Sequence, residues 1–336
     1  MREQHLRASG VVINNIMLTL PDLREKQIIF IRTEQGLANK IKIANENIVF
    51  MKDEKVVNRV SCHKALAVFI VGDISITSRL IRDGLQYGVS FFLLKSNFDL
   101  YASLCVFAEA NYAVRMKQYA ISEPDALALS KQIVKNKIEN QCALLRERGK
   151  TGALASEQEK IASTISRAEN QEKLLGIEGS ASKKFFEEYF SDIGWRRRLP
   201  RAKPDIPNFL LDMGYTFLFN FIDALLRLHG FDTYKGFYHQ LFFQRKSLAC
   251  DMVEPFRCVI DKQLLKAYNL GRIKPDDFSF MKNQCSLGYE ARSRYAELFM
   301  EAIMQHKEDI YKFIQGFYRA VMREEHSFDL FSINKK

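Results

Sequence analysis

Hydrophobic periodicity changes once along this chain of 336 residues, and that change limits the fold more than any other feature. Ahead of residue 110 the apolar residues come in short runs of strand character. Gln27–Thr33 (QIIFIRT) is β-branched, Lys40–Ala44 alternates, Lys55–Val60 alternates in part, and Ile48–Met51 is continuously apolar. Gly36, Asn45–Asn47 and Asp53–Glu54 supply the turns between them. Ala67–Val71 is a buried-strand candidate, Ser75–Tyr87 an amphipathic helix ending at Gly88, and Val89–Leu94 and Leu100–Phe107 are further strands. Beyond residue 110 the spacing becomes helical. Ser122 and Pro124 open a long helix with Leu127, Ile133, Val134, Ile138 and Leu145 on its apolar side. Gly149–Gly152 is a break, Ala153–Leu175 a second helix closed by Gly176, and Phe209–Leu228 a third, stopped at His229-Gly230. Leu248–Leu270, Glu290–His306 and Glu308–Arg323 complete the series. The pattern predicts an α+β chain: a small β-rich domain over 1–110, then a larger all-α domain over 111–336, with the boundary inside Glu109–Ala120.

Length suits two domains, and 47% hydrophobic residues are enough for a packed core. The formal net charge of +10 predicts a surface that attracts polyanions, nucleic acid first and an anionic membrane second. None of Cys62, Cys105, Cys142, Cys250, Cys258 and Cys285 forms a C-x-x-C pair, which argues against a structural zinc site and for buried thiols in a reducing compartment. Met1–Ser9 is polar and charged and has no apolar core behind it, so a secretory leader is not expected. The run Ala65–Val71 is far short of the ~20 residues a membrane helix takes. A cytoplasmic chain without membrane attachment is the expectation.

Chemistry concentrates in Ser247–Arg257 (SLACDMVEPFR), where Asp251 and Glu254 stand three apart among Leu248, Ala249, Met252, Val253 and Phe256. Such carboxylates share a face if the segment is helical, and the apolar neighbours predict that they are buried and paired with a cation or a metal. Pro255 disfavours helical geometry at Glu254, so the helix either kinks there or starts afresh. Gly176-Ile177-Glu178-Gly179 sets a carboxylate among small residues at a helix junction, and Gly236-Phe237-Tyr238-His239 supplies an imidazole. Glu178, His239 and Glu254 with Asp251 nearby make a plausible set for Mg²⁺ or Mn²⁺. Each piece also has a structural reading. Glu178 suits a helix N-terminus, His239 a satisfied core position, and the acidic pair suits Arg245, Lys246 or Arg257 as ion-pair partners. Trp195–Pro204 (WRRRLPRAKP) is either a solvated loop or a DNA-backbone contact through Arg196, Arg197 and Arg198. The aromatic series Tyr215, Phe217, Phe219 and Phe221 reads as core packing before base stacking. No phosphate loop and no G-x-S-x-G elbow is present.

Leu174–Gly179, Asn208–Tyr215 with its following helix, Gly236–His239 and Ser247–Arg257, in this order, resemble the CRISPR-associated integrase family, the first of two widely shared Cas proteins that capture new spacers. Val71–Leu94 looks like that family too, and the sequence resembles the versions found beside type V systems. The resemblance implies an N-terminal β domain that dimerises, a helical catalytic domain, a homodimer, and a hetero-complex with the second Cas adaptation protein. It implies double-stranded DNA as substrate, both the captured fragment and the CRISPR repeat. Glu178, His239 and Glu254 would be the ligands of Mg²⁺ or Mn²⁺, with Asp251 either an auxiliary ligand or an orienting group. Arg245, Lys246 and Arg257 would contact phosphate. Lys183 and Lys184 stand where arginine is frequent in the family, and Phe185 or Phe186 where tyrosine is usual, departures that bear on DNA contacts.

Overall fold

The computed structural model describes residues 18–34, 36–95, 100–105, 111–195, 197–239, 243–282, 284–288 and 291–334. The chain separates into two compact units: residues 1–112 with Arg227–Phe231, and residues 113–226 with 232–336.

The first unit is built from strands. After a short helix α1 (Leu20–Glu25), closed at its start by a capping box between Thr19 and Asp22, come β1 (Gln27–Arg32), β2 (Asn39–Ala44), β3 (Asn47–Lys52), β4 (Lys55–Ser61) and β5 (Ala65–Val71). A short β6 (Ser75–Ile76), helix α2 (Ser78–Gln86), β7 (Ser90–Leu94) and β8 (Leu100–Leu104) follow. The structure divides the expected helix over Ser75–Tyr87 between β6 and α2, because Thr77 caps the helix through its side chain. The strands form two sheets, ordered β1-β5-β7-β8 and β4-β3-β2-β6. β5 pairs in parallel with both β1 and β7, and all seven of its residues are buried. That explains its unbroken apolar sequence, since a central parallel strand has two covered faces. Ile29, Ile31, Val68, Ile70 and Phe91 from one sheet pack with Ile41, Ile48 and Phe50 from the other and with Leu80 of α2.

The second unit is helical: α3 (Tyr112–Tyr119), α4 (Glu123–Glu147), α5 (Ala153–Ser156), α6 (Gln158–Ser166), α7 (Gln171–Tyr189), α8 (Ile206–Leu228), α9 (Ser247–Val253), α10 (Arg257–Asn269), α11 (Arg292–Gln305) and α12 (Lys307–Arg323). The α+β class stands, with one addition that the periodicity did not reveal: an antiparallel hairpin of β9 (Phe278–Met281) and β10 (Gln284–Leu287) inside the helical unit. Ser122 caps α4 by accepting from the Asp125 N–H, and Pro124 sits in the first turn, as the sequence implied.

In this unit the helix boundary at Gly176 differs from expectation. No helix ends at Gly176. Ala153–Leu175 is divided into α5, α6 and the first turn of α7, and Asn170 caps α7 by accepting from the Lys173 N–H. Glu178 therefore lies within a helix and not at a junction. Leu248–Leu270 does start afresh at Pro255, as two helices joined by a tight 3₁₀ turn over Glu254–Phe256. α8 is long and apolar enough to cross a membrane by composition, yet 72% of its apolar window is buried inside the protein, which marks it as a core helix.

Candidate active site

Asp251 organises the histidine. Its side chain, fully buried on α9, accepts from the backbone N–H groups of Phe237 (2.8 Å), Tyr238 (3.1 Å) and His239 (2.9 Å), and from His239 Nδ1 (2.7 Å). Both oxygens are occupied by N–H donors, so Asp251 orients the imidazole and the residues before it. With Nδ1 donating, Nε2 is the nitrogen left with a lone pair, which is how a ligating histidine is commonly held. Gly236 permits this fold-back: a Cβ there would lie 2.6 Å from Asp251 Oδ2 and 2.7 Å from the Ser247 carbonyl carbon. Gln171 Nε2 (2.9 Å) and Ser130 Oγ (3.3 Å) hold the Phe237 carbonyl from α7 and α4.

Glu178 and Glu254 converge on a residue that the sequence reading passed over, Lys137 of α4. Lys137 Nζ donates to Glu178 Oε1 and, at 2.7 Å, to Glu254 Oε2. The ammonium group and both carboxylates are largely buried, with side-chain exposures of 9%, 17% and 5% for Lys137, Glu178 and Glu254. Ser182 Oγ adds a hydrogen bond to Glu178 Oε1 at 2.9 Å, and Arg257 reaches the other oxygen of Glu254 at 2.9 Å. Burial works against the charge on Glu254, but Arg257, then Lys137 and His239, hold its carboxyl well below the usual carboxylate range. Burial likewise opposes the Lys137 charge, and Glu254 and Glu178 outweigh it, so its pKa is raised. The turn that presents Glu254 is pinned from α4 as well: Asn140 Nδ2 donates to the Pro255 carbonyl at 3.3 Å.

The donor set suits a hard divalent cation: two carboxylates meet at a point already chosen for positive charge, and an Asp-oriented imidazole acts electrostatically on one of them. The Tyr238 hydroxyl is buried with no hydrogen-bond partner. Burial, then the charges of Glu178, Glu254 and Asp251, raise its pKa. An orphaned donor beside carboxylates is the kind of group a ligand or an ordered water satisfies. Among the described residues, no three His, Cys, Asp or Glu side chains stand close enough together to hold an ion. Lys137 sits between the two glutamates instead.

The basic residues divide into committed and exposed ones. Lys246 Nζ pairs with buried Asp223 at 2.8 Å, Arg198 with Asp212 and Asn208, and Arg257 with Glu254. The Arg257 guanidinium also lies 4.6 Å from the centroid of the Tyr215 ring. Arg245 is half-buried and interacts with the Cys250 thiol. Arg197 and Lys183 are exposed, and Lys184 pairs with Glu157 at 2.7 Å. Arg196 lies outside the described residues. Trp195–Pro204 is not simply a solvated loop: Trp195 is buried against Phe186 and Phe190 and donates to Asp205. Of the aromatic series, Tyr215, Phe217 and Phe221 are core, and Phe219 is half-buried under Lys246. The cysteines are thiols, four of them buried. On α7, an open groove of about 760 Å³ is lined by Lys160, Arg167, Lys173 and Lys184 over Gly176 and Ser180. By helical periodicity Glu178 faces another side of the same helix.

A β-rich unit ahead of a helical unit that gathers glutamates and an oriented histidine is the build of the endonucleases and integrases of CRISPR adaptation. The model of the family described as CRISPR associated protein Cas1 matches residues 33–301. The chain belongs to that family. A relative named CRISPR-associated endonuclease Cas1 1, from Thermodesulfovibrio yellowstonii, is 28% identical over 307 residues, covering 85% of this chain and 95% of its own. A solved chain from a partial Cas6-RT-Cas1–Cas2 complex is 26% identical, with a TM-score of 0.70 over 92% of this chain and 100% of that one. A casposase solved bound to an integration product shares the fold at a TM-score of 0.74, with 16% identity over 92% of this chain and 96% of its own.

Proposed function

We propose that this chain is a metal-dependent DNA integrase and endonuclease of CRISPR adaptation, which joins the 3′-hydroxyl ends of a captured DNA fragment to a repeat array. The observation that carries the reading is the convergence of Glu178 and Glu254 on one buried cationic point beside His239. The reaction is a transesterification: a new O–P bond forms as the original phosphodiester O–P bond breaks. The attacking hydroxyl loses its proton and the departing 3′-oxygen gains one. One phosphodiester is exchanged for another, so no energy-supplying cofactor is called for.

Glu178, Glu254 and His239 would hold Mg²⁺ or Mn²⁺. A divalent cation, when bound, supplies positive charge to the phosphoryl oxygens and eases ionisation of the attacking hydroxyl. Asp251 keeps the imidazole nitrogen turned the right way, and the packed elements α4, α7 and α9 fix the carboxylates before substrate arrives. The positive net charge draws the polyanion, so duplex binding should weaken steeply with salt. Homodimer formation and assembly with the second Cas adaptation protein complete the proposal, in keeping with the 26%-identical relative solved in a Cas1–Cas2 complex.

The test is joining of a short 3′-hydroxyl duplex to a supercoiled repeat-bearing plasmid, with the partner protein present. Joining is expected in Mg²⁺ or Mn²⁺ and not in chelator, and Glu178→Ala or His239→Ala should abolish it while duplex binding persists. Joining by either variant, or undiminished joining in chelator, overturns the assignment. A second reading, a DNA-binding scaffold without chemistry, draws on Lys137 and Arg257, which together already neutralise the glutamates. It predicts tight duplex binding and no joining with any metal.

A further inference from the structure

We propose that Lys137 is a transferable cation of this site: it holds Glu178 and Glu254 together before substrate arrives, then passes to a DNA phosphate when a divalent ion takes the glutamates. The inference rests on the integrase reading and deepens it. It begins from charge counting. Glu178 and Glu254 are offset by Lys137 and Arg257, so these four groups already sum to zero. Adding a divalent ion to them would leave excess positive charge in a site of low exposure, which is unfavourable. An incoming phosphodiester brings negative charge. A lysine on its flexible four-carbon stem is suited to exchange one oxyanion for another, while Arg257, braced on the Tyr215 ring and paired with the far oxygen of Glu254, is not.

Two details of the site agree. Lys137 contacts one oxygen of each glutamate, Oε1 of Glu178 and Oε2 of Glu254, so releasing it opens a lone pair on each, while Ser182 keeps its own hydrogen bond to Oε1 of Glu178. Both carboxylates keep a second partner when it leaves: Ser182 stays on Glu178 and Arg257 on Glu254. The glutamates therefore remain oriented during the exchange. The physical consequence is coupling: duplex and divalent ion bind cooperatively, each removing an obstacle to the other. The free protein would bind metal poorly, which guards against unproductive occupancy.

Equilibrium Mn²⁺ binding by the full-length protein, followed by electron paramagnetic resonance of the unbound ion, tests this with and without a 3′-hydroxyl duplex. Wild-type protein should bind Mn²⁺ weakly alone and roughly tenfold or more tightly with duplex present. Lys137→Met should bind Mn²⁺ without DNA on the order of tenfold more tightly than wild type, and duplex should add little further. Lys137→Arg, which keeps the charge, should follow wild type in DNA-free Mn²⁺ affinity. Should the methionine variant fail to fold, Lys137→Gln carries the same expectations, since it keeps a hydrogen-bond donor without the charge. DNA-free Mn²⁺ affinity equal to or weaker than wild type in the neutral variants overturns the proposal. Absence of joining by wild-type protein would remove the integrase reading itself. Joining by wild type together with metal affinity indifferent to Lys137 would remove only this inference.

Discussion

The two units bury different things. In the first, the interior is aliphatic and aromatic: β5 is buried at every position, and its Phe69 stacks on Phe92 of β7 at a centroid distance of 4.8 Å. In the second, Lys137, Asp223, Asp251, Glu254 and Asp261 are all buried, along with Asn136, Asn140 and Gln141. Apolar burial is non-directional and stabilises wherever area is covered. Buried charge is favourable only when each group meets a partner in the right geometry, and an isolated one is strongly destabilising. The helical unit has thus given up interchangeable packing for a fixed constellation, which is what a reacting site requires.

The largest expected effect separates these two kinds of interior. Asp251→Ala strips an acceptor from three backbone N–H groups and the His239 ring, and should destabilise the fold by about 3–5 kcal/mol. The folded remainder should also join DNA roughly 10–100-fold more slowly, because the carboxylate that orients the His239 ring is lost. Phe91→Ala, in the apolar core of the first unit, should destabilise by a similar ~3–5 kcal/mol while joining per folded molecule stays near wild type. Urea unfolding paired with joining rates decides the matter: if both substitutions lower joining equally once folded fraction is allowed for, the contrast between the units fails.

These units also differ in how far their residues announced them. Strands β2, β3 and β5 were legible because a single local rule, alternation or a continuous apolar run, sets which side chains are buried, whereas β4, which buries none of its residues, showed alternation only in part. Glu178, His239, Asp251 and Glu254 were legible only as fragments, brought together by likeness to a known family. Lys137 was not found. The apolar side of α4 is marked by Leu127, Ile133, Val134, Ile138 and Leu145, and nothing in that pattern singles out a polar residue between them. Yet Ser130, Lys137 and Gln141 recur at helical spacing beside those apolar positions, and all three are buried. A polar row on the apolar side of a helix was the available signal. Its partners lie on α7 and at the Glu254 turn, distant in sequence, so no window could supply them. The boundary at Gly176 failed for a related reason: glycine disfavours a helix by only about 1 kcal/mol, and tertiary packing of α7 overrides it.

A smaller effect should appear in the pH dependence of stability. Asp261 is buried on α10, where Tyr215 donates to Oδ1 while Oδ2 has no partner. Burial pushes its carboxyl up to about 7, against hydrogen bonding from Tyr215 and the charge of Arg257. A folded-state pKa above the unfolded value means the folded protein holds the proton more tightly. The resulting stability is complete below the unfolded value of 3.8 and is lost as pH rises through about 7. Glu254 runs the other way: its carboxyl is depressed, so its contribution is present at neutral pH and disappears on acidification below the ordinary value of 4.5. Asp261→Asn should therefore remove a loss of roughly 3–4 kcal/mol between about pH 4 and pH 7 and leave the acid limb intact. Denaturant midpoints across that range check it. A wild-type profile flat over the same interval would show that the helical unit tolerates a charged Asp261 after all.

The smallest effect concerns α7, where the contrast between packing and chemistry meets within one helix. Gly176 and Gly179 flank Glu178, and a Cβ added at either would find nothing within 4 Å. Their backbone conformations are helical, so neither position needs glycine for the fold, and internal packing gives no reason for them. Substituting alanine should raise stability by about 0.5–1 kcal/mol through the unfolded-chain entropy that glycine adds. If the bare helix surface is there to let a DNA backbone approach Glu178, Gly179→Ala should weaken duplex binding several-fold even as the protein becomes more stable. Opposite signs in a thermal melt and a binding titration are the expected pattern. A gain in stability with unchanged duplex affinity would assign the glycines no part in DNA approach, and would place the contact elsewhere on the basic surface, with the groove lined by Lys160 and Lys173 the next place to probe.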